Sequence, residues 1–286
     1  MPTKIEKDQL SGTDTTGHEW DGIKELNTPL PSWWLYTFYA CIAFAIVYSV
    51  LYPAWPWFNG HTSGLIGYST RAELTQELDA QAKARAVFID RIRATPLGDI
   101  RKDPELFNFA VAGGRSAFQT TCMQCHGSGG AGSVGFPNLV DDDWIWGGTL
   151  DQIYTTIRYG VRNANDKSHQ SQMPRFGADQ ILTPAQVSAV ADYVLSLSDK
   201  GKATPEGKKV FEENCVACHG PDGKGNQELG APNLTDGIWL YGGDRQSIYN
   251  SIFYAHAGSM PAWGDRLDDA TIKMLAIYVH NLGGGR

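Results

Sequence analysis

Between Trp33 and Tyr52 the chain carries no charged side chain over 20 residues. An α-helix rises 1.5 Å per residue, so about 20 apolar residues cross the ~30 Å hydrocarbon layer of a bilayer. Trp33, Trp34 and Tyr36 crowd one end of the run, and Tyr52, Trp55 and Trp57 the other. Such rings favour the two membrane interfaces. Pro31 and Pro53 punctuate the stretch, as expected of residues that start or stop helices. A cleaved signal peptide has a basic start and an apolar stretch of about 7–15 residues. Here 32 mostly polar residues precede a longer run, so the pattern predicts one permanent span. Further on, Leu74, Leu78, Val87, Phe88 and Ile92 recur at helical spacing among charges between Arg71 and Ala94. This predicts an amphipathic helix, read as a solvated stalk.

The remaining sequence contains a repeat. Cys-Met-Gln-Cys-His-Gly at 122–127 returns as Cys-Val-Ala-Cys-His-Gly at 215–220. Pro-Asn-Leu with Trp and Gly-Gly at 137–148 returns at 232–243. Ile153-Tyr154 and Ile157 correspond to Ile248-Tyr249 and Ile252, and Met-Pro-Arg-Phe-Gly at 173–177 to Met-Pro-Ala-Trp-Gly at 260–264. Each copy closes on a helical pattern, with Tyr193-Val194 in one and Tyr278-Val279 in the other. The expected organisation is mainly α: a leader at 1–32, an anchor at 33–58, a linker with its helix at 59–105, and two tandem domains at 106–199 and 200–286. The join falls in the polar stretch Ser198 to Pro205.

The chemistry lies in the Cys-x-x-Cys-His motifs. Two thiols one helical turn apart can add to the two vinyl groups of one haem, and the adjacent imidazole then faces the iron. The candidate attachment residues are Cys122, Cys125, Cys215 and Cys218, and the proximal ligands His126 and His219. A zinc site needs two further Cys or His at fixed spacing, and a thioredoxin-like pair needs a βαβ context. Two matching copies without either point to two covalently attached c-type haems. Met173 and Met260 occupy equal places downstream, each followed by proline. A thioether there is the expected sixth ligand. His169 and His256, each four residues earlier, are the competing candidates. Met274 reads as core. Met123 lies between two attachment cysteines. Cys41 is a small filler of the span. His18, His61 and His280 read as surface or structural residues. Trp144, Trp146, Trp239 and Tyr241 are expected to pack on haem edges or in the core.

Composition narrows the function. A net charge of −7, with no basic run longer than Lys208-Lys209, argues against nucleic-acid binding. Lys4, Lys7 and Lys24 precede the span, and residues 53–70 hold no Lys or Arg. This favours a cytoplasmic N-terminus. A dihaem peroxidase needs one iron with an exchangeable position, whereas two Met-Pro motifs predict two closed irons.

The leader His18-Glu-Trp-Asp-Gly-Ile-Lys-Glu-Leu-Asn27, followed by Pro29-Leu-Pro-Ser-Trp-Trp34, resembles that of the dihaem membrane-anchored subunit III family (CcoP or FixP) of cbb3-type cytochrome c oxidases. The resemblance covers essentially the whole chain, although some members carry a second N-terminal span. It implies a subunit of the bacterial inner membrane with its haem domains in the periplasm. Electrons would pass from a donor cytochrome c through two haems c to a monohaem cytochrome c subunit and then to the haem–copper catalytic subunit. It implies no catalysis by this chain alone. A free-standing membrane-anchored dihaem carrier is the alternative.

Overall fold

The computed structural model describes residues 4–198 and 200–283; Asp199, in the expected join, lies outside them. The chain forms two compact units, 1–82 and 83–286.

In the first unit, the leader is a β-hairpin of β1 (Thr15–Trp20) and β2 (Ile23–Leu26), paired antiparallel with Trp20 opposite Ile23. The two-residue turn between them is Asp21-Gly22, both at positive φ (48° and 84°). That conformation matches the right-handed twist of the strands and is favoured by Asp-Gly. α1 (Ser32–Leu51) is the apolar helix, and none of its residues is buried. It is the one helix among the described residues long and apolar enough to cross a membrane. After the short hairpin of β3 (Pro56–Trp57) and β4 (Gly60–His61) the chain folds back. Leu65 and Ile66 then donate to the carbonyls of Val50 and Leu51, which a helix end leaves without partners.

α2 (Thr70–Ala94) matches the expected helix. Its end is not a solvated stalk. Ile92 is fully buried, and Phe88 and Ile89 pack on the same core, as do Leu97 and Ile100 of the 3-10 turn that follows. Lys273 donates to the carbonyls of Ile92, Arg93 and Thr95 at 3.0–3.2 Å and so caps the end of α2.

The rest of the second unit comprises α3 (Pro104–Thr121), α4 (Met123–His126), α5 (Leu150–Tyr159), α6 (Pro184–Leu197), α7 (Pro205–Asn214), α8 (Val216–His219), α9 (Arg245–Tyr254) and α10 (Asp269–His280). These elements build two lobes that do not coincide with the two sequence repeats. α10, from the second repeat, packs on α3 and α5 of the first. Leu275 and Ile272 thus share a core with Phe118, Ile153 and Ile157. α6, from the first repeat, packs on α7 and α9 of the second, where Val187, Val190 and Val194 meet Phe211 and Ile248. Ion pairs cross the repeats in the same way. Arg245 on α9 grips Asp192 on α6 at 2.6 and 2.9 Å, and Arg158 on α5 donates to Asp269 on α10 at 2.7 Å.

The second lobe is therefore continuous in sequence, from Met173 to Tyr254, and the first is split around it. The join at 198–205 lies inside the second lobe, between α6 and α7. The boundary at 199/200 separates the repeats but not the packing. One pair of glycines shows why. The helix that leads into each Cys-x-x-Cys-His motif crosses a helix of the other repeat, α10 at Gly114 and α6 at Gly207. A Cβ on Gly114 would lie 2.2 Å from the Met274 carbonyl oxygen, and one on Gly207 would lie 2.2 Å from that of Ala189. Only glycine lets the backbones meet so closely.

Candidate haem sites

Each motif grows from a helix end. Cys122 caps α3, and its carbonyl accepts from the amides of Cys125 and His126 at 3.1 and 3.0 Å. Cys215 caps α7, and its carbonyl accepts from Cys218 and His219 at 3.1 and 2.9 Å. The resulting single turns, α4 and α8, place both thiols and the imidazole of each motif on one short segment. Gly127 and Gly220, at φ 78° and 76°, stop the turns in a conformation that a side chain would strain. Cys122 and Cys215 are half-buried, and Cys125 and Cys218 are exposed. Burial pushes the Cys122 thiol up and the Cys215 thiol up to about 11.

The two imidazoles are held alike. His126 Nδ1 lies 3.0 Å from the Pro137 carbonyl oxygen, and His219 Nδ1 lies 3.0 Å from that of Pro232. A carbonyl only accepts, so each Nδ1 carries the proton and each Nε2 presents a lone pair. Burial lowers both histidine pKa values, against the opposing pull of those carbonyls.

Met260 packs on the core that holds Cys122, Leu139 and Trp144. Met173 packs on the core that holds Cys215, Val216 and Trp239. Each methionine thus joins the motif of the other repeat. The competing histidines are engaged elsewhere. His169 stacks on Trp146, with centroids 4.2 Å apart, and its Nε2 lies 3.1 Å from Thr156 Oγ1. His256 is exposed and stacks on Tyr241 at 3.8 Å. Trp144 and Trp239 accordingly line the cores, whereas Trp146 and Tyr241 serve the stacks. His18 and His61 are exposed, while Met274 and His280 are buried.

These surroundings suit a haem. Each core combines an apolar wall, the first thiol of one motif and a thioether, and the turn beside it carries the second thiol and an imidazole with a free lone pair. In addition, Trp239 Nε1 is buried without a hydrogen-bond partner among the described residues, a donor suited to the carboxylate edge of a porphyrin.

Residues 12–59 match the family model for the N-terminal domain of cytochrome oxidase-cbb3, FixP. Residues 111–198 match cytochrome c, and residues 202–279 match cytochrome c oxidase, cbb3-type, subunit III. The cbb3-type cytochrome c oxidase subunit FixP of Bradyrhizobium diazoefficiens is 54% identical, with 100% of both chains covered. The subunit CcoP of Cereibacter sphaeroides is 50% identical, again over 100% of both chains. CcoP of Azospirillum brasilense is 52% identical over 98% of this chain and 99% of its own. The chain belongs to the FixP/CcoP family of cbb3-type oxidase subunits. Its two cytochrome c domains bind haem c covalently, and it serves the oxidase in electron transfer.

Sequence reasoning missed the junction between the lobes. Asp141 and Asp143 of the first repeat face Asp236 of the second there. Burial first, and then Asp236 and Asp141, push the Asp143 carboxyl up to about 6. A carboxyl whose folded pKa lies above its ordinary value of 3.8 stabilises the fold while protonated, and that stability is lost as pH rises through about 6. Asp143→Asn is expected to change melting temperature more favourably at pH 7 than at pH 4, relative to the unsubstituted chain, as read by thermal scans.

Proposed function

We propose that this subunit takes electrons from a donor cytochrome c and passes them through two haems to the monohaem cytochrome c subunit. They then reach the haem–copper subunit, where oxygen is reduced. In this reading Cys122, Cys125, His126 and Met260 hold one haem, and Cys215, Cys218, His219 and Met173 hold the other. The observation that carries it is the matched pair of imidazoles, each locked at Nδ1 by a proline carbonyl, in motifs whose first cysteine shares a core with a methionine. Bound haem supplies one-electron exchange at iron. The chain supplies fixed ligands and a dry wall, which limit rearrangement when the charge changes. A thioether ligand favours the reduced iron more than a second imidazole would. Two closed irons leave no position for substrate, which makes the chain a conductor and not a catalyst by itself.

The subunit sits in the bacterial inner membrane as a single-pass protein with its haem lobes in the periplasm. The lysines before α1, and the lack of Lys and Arg at 53–70, support a cytoplasmic N-terminus.

Purification of the tagged chain in mild detergent is expected to recover haem b and copper with it. The denatured chain should exceed its polypeptide mass by two haems. Recovery of the dihaem chain without haem b or copper would favour the free-standing carrier. A mass carrying one haem would remove one of the two attachment sites.

A further inference from the structure

We propose that Trp146, a residue of the first lobe, is the positioning residue for the methionine ligand of the second. The proposal rests on the reading of Met173 as that ligand. Trp146 stands between the lobes. One face stacks on His169, with the rings 16° from parallel. The indole also fills the space beside Gly230 of the second lobe, where a Cβ would fall 2.2 Å from Trp146 Cζ2. Arg162 lies 5.9 Å from the centre of the Trp146 ring and donates to the Ser171 carbonyl at 2.7 Å. His169 Nε2 meets Thr156 on α5. The segment that delivers Met173 is thus gripped upstream by first-lobe groups, through its backbone as well: the His169 amide donates to the Gly160 carbonyl at 3.2 Å, and the His169 carbonyl accepts from the Arg162 amide at 2.7 Å. Downstream it is gripped by the second lobe: Phe176 is buried, and Gly177 and Ala178 donate to the Phe253 carbonyl at 3.2 and 3.0 Å. Met173 lies between the two grips.

Met260 is backbone-paired at the ligand itself, whereas the backbone pairing of the other segment falls at His169, four residues before Met173. The Met260 amide donates to the Val161 carbonyl at 2.9 Å, and its carbonyl accepts from Val161 at 3.0 Å and from Asn163 Nδ2 at 2.8 Å. The matching stack, Tyr241 on His256, is an addition to a backbone already clamped. Removing Trp146 therefore loosens Met173, while removing Tyr241 leaves Met260 in place.

The full-length subunit in its complex gives the test. A thioether on ferric haem produces a near-infrared charge-transfer band, and the wild type should show it from both haems. Met173→Ala should halve the band. Trp146→Ala should also weaken it toward half and lower one of the two midpoint potentials. Trp146→Phe, which keeps a stacking ring, should restore both. The double variant Trp146→Ala with Met260→Ala should show less band than Met260→Ala alone, and Tyr241→Ala should retain the full band. Should Trp146→Ala not fold, Thr156→Val loosens the same grip and should weaken the band in the same double-variant format. A full band in Trp146→Ala, or no loss beyond that of Met260→Ala in the double variant, overturns the positioning role. A full band in Met173→Ala overturns the ligand reading itself, and the positioning role with it.

Discussion

Met260→Ala is expected to open the iron held by His126 and to leave the iron held by His219 six-coordinate, although Met260 follows the second motif in sequence. Met260 shares its core with Cys122 and Trp144, and its backbone is paired with Val161, just beyond α5. An opened iron becomes high-spin or takes carbon monoxide, and its potential falls when the thioether is lost. The assignment is checked by carbon monoxide binding in two backgrounds. With Cys122 and Cys125 changed to serine, so that the first haem is not attached, Met260→Ala should add no binding. With Cys215 and Cys218 changed instead, it should create a full site. The opposite pattern would mean that each repeat ligates its own haem.

Gly114→Ala should be strongly destabilising, by about 2 kcal/mol or more, despite the better helix propensity of alanine. Propensity alone favours Ala over Gly by about 1 kcal/mol inside a helix. The new methyl would sit 2.2 Å from the Met274 carbonyl oxygen and 2.6 Å from Tyr278 Cβ. Overpacking of this kind typically costs about 1–3 kcal/mol, and here the obstacle is backbone, which cannot rotate away. α3 and α10 must separate, and the core of Phe118 and Leu275 opens. Gly207→Ala makes the same clash with Ala189 and should weaken the second lobe instead. Limited proteolysis on heating should cut between α3 and α5 first in one variant and between α7 and α9 first in the other. Unchanged melting of both would remove the close helix crossing as an explanation of the fold.

Much of this was legible in the sequence, and what was not shares one cause. The uncharged run gave α1 nearly to the residue, because a span is a local property of composition. The thiol spacing gave the single turns α4 and α8, because residues one helical turn apart are set by local geometry. The pairing of Met173 with Cys215 was not legible. A repeat with equivalent residues in equal order looks the same whether each copy closes on itself or on its neighbour. The decision rests on long-range contacts such as Arg245 with Asp192. The leader hairpin was signalled by Asp21-Gly22 between alternating residues, a local cue outweighed by the helical character of the rest. The stalk reading failed at Ile92, whose burial depends on α3 and α10, which are distant in sequence. His169 and His256 competed with the favoured methionines in the sequence, and nothing local signalled that Trp146 and Tyr241 stack on their rings.

With the ligand pairing proposed above, the split of the first lobe around the second reverses the order in which the two haem pockets can be finished during synthesis. A chain leaving the ribosome presents its N-terminal parts first, and domains close as units once their parts exist. The second lobe has all its helices when Tyr254 has emerged. The first exposes its cysteines much earlier, yet lacks both Met260 and α10 until after the second lobe is out. Its attachment motif therefore stays accessible for longer, on a half-built wall, while the later motif is enclosed sooner. A ribosome that stops between α9 and α10 leaves a chain with one finished pocket, and the finished one is that of the later motif.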